Sequence, residues 1–136
     1  MPVLNLQKEP ICALATAAGK SALAIVRLSG KDVFKIAKQI THRELTARYV
    51  CYTNFYDCDD VVIDQGLAIY FQAPASFTGE DLVEFHCHGN PLVSELLLKA
   101  LCSLGARLAT PGEFSLRAFL NNKINLAQAE AIADLI

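Results

Sequence analysis

At 136 residues and 14.8 kDa the chain has the size of one domain with room for a fragment of a second, which excludes a self-contained multidomain enzyme. Hydrophobic residues make up 53% of it, ample for a core at a length that buries roughly 70% of the extended chain's surface, so disorder is excluded as well. Twelve Lys and Arg against fourteen Asp and Glu give a net charge of -2, which excludes a domain that holds nucleic acid by bulk charge.

Charge is segregated along the chain. Residues 1–56 carry eight basic and three acidic side chains, residues 57–84 seven acidic and no basic ones, and residues 85–136 four of each. Solvated faces account for such blocks; internal complementarity between a basic start and an acidic middle is the alternative. Five cysteines, Cys12, Cys51, Cys58, Cys87 and Cys102, are odd in number and lack CxxC spacing, and Cys12, Cys51 and Cys102 sit in apolar runs as small core residues. That usage fits a reducing compartment, and the cytoplasm is the expected location. The apolar run Ile11 to Ala18 follows Glu9 and Pro10, where a signal peptide carries positive charge, and no segment approaches the ~20 apolar residues of a membrane span. Neither export nor a membrane is expected.

The first half reads as strands at Ile11–Ala15, Ala22–Leu28, Tyr49–Phe55, Leu67–Phe71 and Leu82–His86, punctuated by Gly and Pro. One helix lies between the second and third, with Ser29 as its cap, Asp32 completing a box-like pair, and Val33, Ile36, Ala37 and Ile40 on one face. After residue 88 the period changes to about 3.6. Asn90 and Pro91 open a helix that buries Leu92, Val93, Leu96, Leu97, Ala100, Leu101 and Leu104 and stops at Gly105. Thr110, Pro111 and Glu113 repeat the start signal ahead of Phe114, Ala118 and Phe119. Asn125 with Gln128 opens a third helix through Leu126, Ala129, Ile132, Ala133 and Ile136, which lacks a stop signal and implies that the chain continues. The pattern predicts an α+β domain, an antiparallel or mixed sheet with packed helices over residues 1–120, followed at 121–136 by the beginning of a helical domain.

Four places carry candidate chemistry. Ala18-Gly19-Lys20-Ser21 ends like a phosphate loop, but Leu14 stands where the first Gly is required and a strand follows in place of a helix, so a turn is expected and no nucleotide site. His86 and His88 share one side of a strand and could begin a zinc site, for which Glu84 or Asp81 would have to supply a third ligand. Arg27 interrupts a strand made for burial, and Glu84, between Val83 and Phe85, poses the same question with opposite sign. The two either pair with each other or face a pocket. Lys123 lies in the polar elbow Asn121-Asn122-Lys123-Ile124-Asn125, where a solvated lysine is the ordinary reading.

Leu28-Ser29-Gly30, Ser76-Phe77-Thr78-Gly79-Glu80-Asp81, Glu84, His88-Gly89, Arg107-Leu108-Ala109, Pro111-Gly112-Glu113-Phe114, Arg117-Ala118-Phe119-Leu120-Asn121 and Leu126-Ala127-Gln128-Ala129-Glu130-Ala131, in this order, cover nearly the whole chain. The string resembles the N-terminal region of the tRNA-modification GTPase family MnmE, also called TrmE. The resemblance implies a fold similar to the tetrahydrofolate-binding domain of glycine-cleavage aminomethyltransferases, and a homodimer that binds a one-carbon folate, 5-formyl- or 5,10-methylene-tetrahydrofolate, at its interface. It further implies that GTP, magnesium and potassium belong to a GTPase domain outside these residues. With the FAD-dependent partner MnmG, the family installs an aminomethyl-type group on carbon 5 of the wobble uridine of certain tRNAs.

Carried over by that resemblance, the folate contacts fall on Arg27, Glu84 and Lys123. A carboxylate suits the adjacent amine and ring N–H donors of a pterin edge, and cations suit the cofactor's carbonyl and carboxylate oxygens. The chain departs from the family pattern at Ala17-Ala18-Gly19-Lys20-Ser21-Ala22, where Pro-Pro-Gly and further glycines are usual, and at His86-Cys87-His88-Gly89-Asn90-Pro91, where many members have Gln-Gly-His-Gly-Gly-Pro. The function expected is a folate-binding, dimerising module without catalysis of its own. A purely structural dimerisation domain and a zinc site at His86 and His88 are the alternatives.

Overall fold

Alternating burial along the strands and an apolar stripe on each of two helices assemble one sheet with helices on its inner face. The computed structural model describes residues 9–16 and 22–133, within which six strands and four helices form. They are β1 (Ile11–Leu14), β2 (Leu23–Ser29), α1 (Val33–Thr41), β3 (Cys51–Tyr56), β4 (Val62–Phe71), β5 (Leu82–His88), α2 (Pro91–Ser103), β6 (Arg107–Leu108), α3 (Glu113–Leu120) and α4 (Leu126–Ala133). The sheet order is β3-β4-β5-β2-β1-β6, antiparallel throughout except for the parallel β1–β6 pair. The class is α+β with a mixed sheet, as the sequence pattern predicts. The turn at Ala17 to Ser21 and the final residue Ile136 lie outside the described residues.

One face of the sheet is the core. Ala24, Val26 and Leu28 of β2, Val83, Phe85 and Cys87 of β5, Ala68 and Tyr70 of β4 and Phe55 of β3 are buried there beneath Val33, Ile36, Ala37 and Ile40 of α1 and Leu97, Ala100 and Leu101 of α2. Phe55 and Phe85 meet edge to face at 5.5 Å between ring centroids, a favoured aromatic geometry. The residues between them on the strands, Ile25, Arg27, Leu67, Ile69, Glu84 and His86, occupy the other face and are half-buried.

Several local expectations need correction. Ser29 does not cap α1: it ends β2, and its hydroxyl is bonded to Thr78 and Glu80. Asp32 stands at the N-cap instead, with a left-handed φ of 63° and no side-chain cap bond. The buried stripe of α2 is narrower than predicted, because Ser94, Leu97, Ala100 and Leu101 face the sheet while Leu92 and Leu96 are exposed. α3 begins at Glu113 rather than at Pro111, although the Glu113 carboxylate accepts the Thr110 N–H at 3.0 Å as the start signal implies. Of the three cysteines assigned to the core only Cys12 is buried, joined there by Cys87, while Cys51 and Cys102 are half-exposed; all five are free thiols. Burial first, then the neighbouring Cys102, pushes the Cys12 thiol up to about 12. Asn90 caps α2 as expected, accepting from the Leu92 N–H at 2.9 Å, and Asn125 and Gln128 bond each other's backbone N–H at 2.8 Å.

β4 extends five residues further upstream than its pattern suggests and includes Gly66. A Cβ there would collide with the backbone carbonyl of His86 on β5 and press on the Phe55 ring. Neither backbone nor packed ring yields cheaply. Gly66→Ala is therefore expected to cost about 2 kcal/mol or more in urea-induced unfolding, against the few tenths ordinary at exposed sites.

Candidate functional site

The antiparallel register of β2 and β5 sets Arg27 opposite Glu84 and Ile25 opposite His86, on the sheet face away from the core. Arg27 donates to Glu84 Oε2 from Nη2 at 3.1 Å and from Nε at 3.3 Å. The other carboxylate oxygen, Oε1, is bonded to His86 Nε2 at 3.0 Å. These side chains are 25%, 17% and 17% exposed in the order Arg27, Glu84, His86, sheltered enough to matter and open enough to meet a ligand. Of the two readings left open for Arg27 and Glu84, the direct pair is present, and it lies on an accessible face.

The segment between β4 and β5 covers one side of this cluster. Phe77 lies against the Arg27 guanidinium, 5.3 Å from carbon to ring centroid, a cation–π distance. Lys123 approaches the same segment from beyond α3, donating to the Pro74 carbonyl at 3.1 Å. Gly79, at φ 82°, packs against the Asn121 and Lys123 side chains, and Asn121 donates to the Thr78 carbonyl at 2.9 Å. A Cβ at Gly79 would strain the backbone and strike Asn121. The three residues singled out by the sequence are thus joined through one loop: Arg27 and Glu84 directly, Lys123 across residues 74–79.

His86 and His88 do not converge. His88 turns to Asp64, which accepts from its backbone N–H at 2.8 Å and meets its Nδ1 at 2.9 Å. Burial pushes the Asp64 carboxyl up, but the backbone N–H groups of His88 and Gln65 and the His88 ring together hold it below the usual range. Among the described residues no group of three or more His, Cys, Asp or Glu is placed to hold a metal.

A buried ionic network fixes the loop, and the residue reading did not single it out. Arg117 on α3, 2% exposed, donates to the Glu80 carboxylate at 3.1 and 3.3 Å, to Glu113 at 3.5 Å and to the Glu9 carbonyl at 2.7 Å. Glu80 also accepts from Ser29 at 2.9 Å, and Ser29 shares a 2.7 Å bond with Thr78. Glu113 is gripped in bidentate fashion by Arg107 at 2.6 and 2.8 Å. The two glutamates respond oppositely. Burial pushes the Glu80 carboxyl up despite Arg117, whereas the hydrogen bonds from Arg107 bring Glu113 down to about 2.

Two outcomes follow from this network. Because Glu113 is depressed, its stabilisation is complete above the ordinary glutamate value near 4.5 and is lost as pH falls toward about 2. Acid unfolding followed by circular dichroism is expected to lose a transition in that window in Glu113→Gln. Arg117→Met strands Glu80 without its cation and is expected to cost about 3–5 kcal/mol in denaturant titration; a loss under 1 kcal/mol would remove Arg117 as the loop's anchor.

Residues 10–123 match the family model described as GTP-binding protein TrmE N-terminus. The chain is 53% identical over 133 residues to the tRNA modification GTPase MnmE of Pseudomonas entomophila, covering 98% of this chain and 29% of that protein. It is 50% identical over 129 residues to the protein of that name from Francisella tularensis subsp. holarctica, covering 95% and 28%. It thus spans less than a third of the length of these relatives. A family model over most of the chain and half its residues shared with such relatives place it plainly: the chain belongs to the MnmE (TrmE) family of tRNA modification GTPases and corresponds to its N-terminal region.

Proposed function

We propose that this chain is the folate-binding and dimerising module of a cytoplasmic tRNA-modification GTPase, with a fold similar to the tetrahydrofolate-binding domain of glycine-cleavage aminomethyltransferases. The observation that carries the reading is the Arg27–Glu84 pair on the half-open sheet face, walled by Phe77 and linked through residues 74–79 to Lys123. These groups fit a reduced folate by type. Glu84 offers a carboxylate to the paired N–H donors of the pterin, and the Phe77 ring an apolar surface. Arg27 turns from Glu84 toward ligand carbonyl or carboxylate oxygens, and Lys123 exchanges the Pro74 carbonyl for a carboxylate.

A bound 5-formyl- or 5,10-methylene-tetrahydrofolate supplies the one-carbon unit for the aminomethyl-type group at carbon 5 of the wobble uridine. The residues of this chain bind and orient that cofactor and do no chemistry on GTP. In the whole protein, a homodimer acting with the FAD-dependent partner MnmG, GTP turnover with magnesium and potassium and the handling of tRNA lie outside these 136 residues.

Calorimetry with 5-formyltetrahydrofolate tests the reading, alongside sedimentation to establish the dimer. Glu84→Ala is expected to weaken affinity more than tenfold, about 1.4 kcal/mol or more. Unchanged affinity would remove Glu84 from the site; no binding by the dimeric chain, with none gained in the full-length protein, would end the proposal.

A further inference from the structure

Three N–H groups hold the Glu84 carboxylate, divided unequally between its oxygens. Arg27 brings Nη2 and Nε to Oε2 at 3.1 and 3.3 Å, whereas Oε1 takes one bond, from His86 Nε2 at 3.0 Å, and keeps an acceptor site free. An ionised carboxylate only accepts, so Nε2 carries the proton of that bond. The exchange described above moves Arg27 alone. As the guanidinium turns to the ligand's oxygens it vacates Oε2, and the paired N–H donors of a pterin edge find room there and at the free site of Oε1. His86 can keep its bond throughout. We propose that His86 is a positioning residue of the site, the protein donor that holds the Glu84 carboxylate in orientation while Arg27 is traded for the ligand. This rests on the folate reading above and adds a residue to it.

The sheet leaves this task to His86. It is separated from Glu84 by one residue on β5, so the pleat sends both to the same face, where each side chain is 17% exposed. The residues registered opposite Glu84 are Arg27 on β2 and Ile69 on β4, and those opposite His86 are Ile25 and Leu67. None of these three aliphatic side chains can donate. Lys123 is engaged at the Pro74 carbonyl and His88 at Asp64. Once Arg27 turns away, His86 is the side chain among the described residues that still donates to Glu84. Without it, a largely buried carboxylate would meet the ligand with no protein hydrogen bond and a free terminal torsion, and binding would have to order it.

Calorimetric titration of the chain with 5-formyltetrahydrofolate tests this with His86→Ala, which removes the donor, and His86→Gln, whose amide supplies an N–H in its place. H86A is expected to bind about tenfold more weakly than the parent, the scale of one hydrogen bond, and H86Q to recover affinity to within about threefold of the parent. In a Glu84→Ala background H86A is expected to add no further loss, because the group it positions is gone. Parent-like affinity in H86A, affinity in H86Q as low as in H86A, or the full loss added on top of Glu84→Ala overturns the positioning role and leaves the folate reading standing. No binding by the parent, folded by circular dichroism, with none gained in the full-length protein, overturns the folate reading and this role with it.

Discussion

Burial of the Arg117 guanidinium constrains everything around the candidate site. At 2% exposure a charge without partners would cost several kcal/mol, so its neighbours are positioned to receive it. They come from three separate segments: Glu80 at the end of the loop before β5, Glu113 at the start of α3, and the Glu9 carbonyl just ahead of β1. One side chain therefore closes the loop, the helix and the first strand onto each other. Ser29 extends the closure into β2 through Glu80 and Thr78, placing the anchor two residues from Arg27 on the same strand.

The sheet then decides which chemistry is displayed. Residues two apart on β2 and β5 share a face, so Arg27, Glu84 and His86 emerge together opposite the core. A slip of β2 by one residue against β5 would send Arg27 inward and turn Val26 and Leu28 to solvent. On the other side of β5, Gly66 lets β4 pass directly against the backbone at His86. The strand pairing fixes the floor of the site, and the Arg117 network fixes the loop that walls it.

Much of this was legible in the sequence, for reasons visible residue by residue. Period-two alternation located five strands, and Asn90 with Pro91 and Asn125 with Gln128 marked helix starts because the side chains that cap a helix lie within a few residues of it. Where distant groups compete, local signals mislead. Ser29 reads as a cap but is claimed by Thr78 and Glu80, and β6 is two residues long, paired along the edge of β1. Arg27 and Glu84 stand out because each is a charge in an apolar strand, whereas Arg117 on a short helix looks like any solvated cation. Its place between Phe114 and Ala118, both on the buried face, is the local hint that it turns inward. His86 and His88 share a strand side, yet the group within reach of His86 is Glu84, which lies on that side as well.

The segregation of charge, which solvated faces would explain on their own, is partly an internal complementarity. The acidic block supplies partners to guanidinium and imidazole groups from all parts of the chain: Glu84 to Arg27, Asp60 to His42, Asp64 to His88 and Glu80 to Arg117. Only some of these bonds are deep. Arg117 and Glu80 are nearly sealed from water, so exchange there is costly and their role is architectural. Arg27, Glu84 and His86 keep about a fifth of their surface in solvent, where a partner can be traded for one of similar strength. A site whose polar groups are already satisfied by each other folds without leaving buried donors or acceptors unpaired, and it favours ligands that reproduce the bonds they displace. Under the proposed function, the paired N–H edge of a reduced pterin would meet that requirement at Glu84, and an anionic tail would meet it at Arg27 and Lys123.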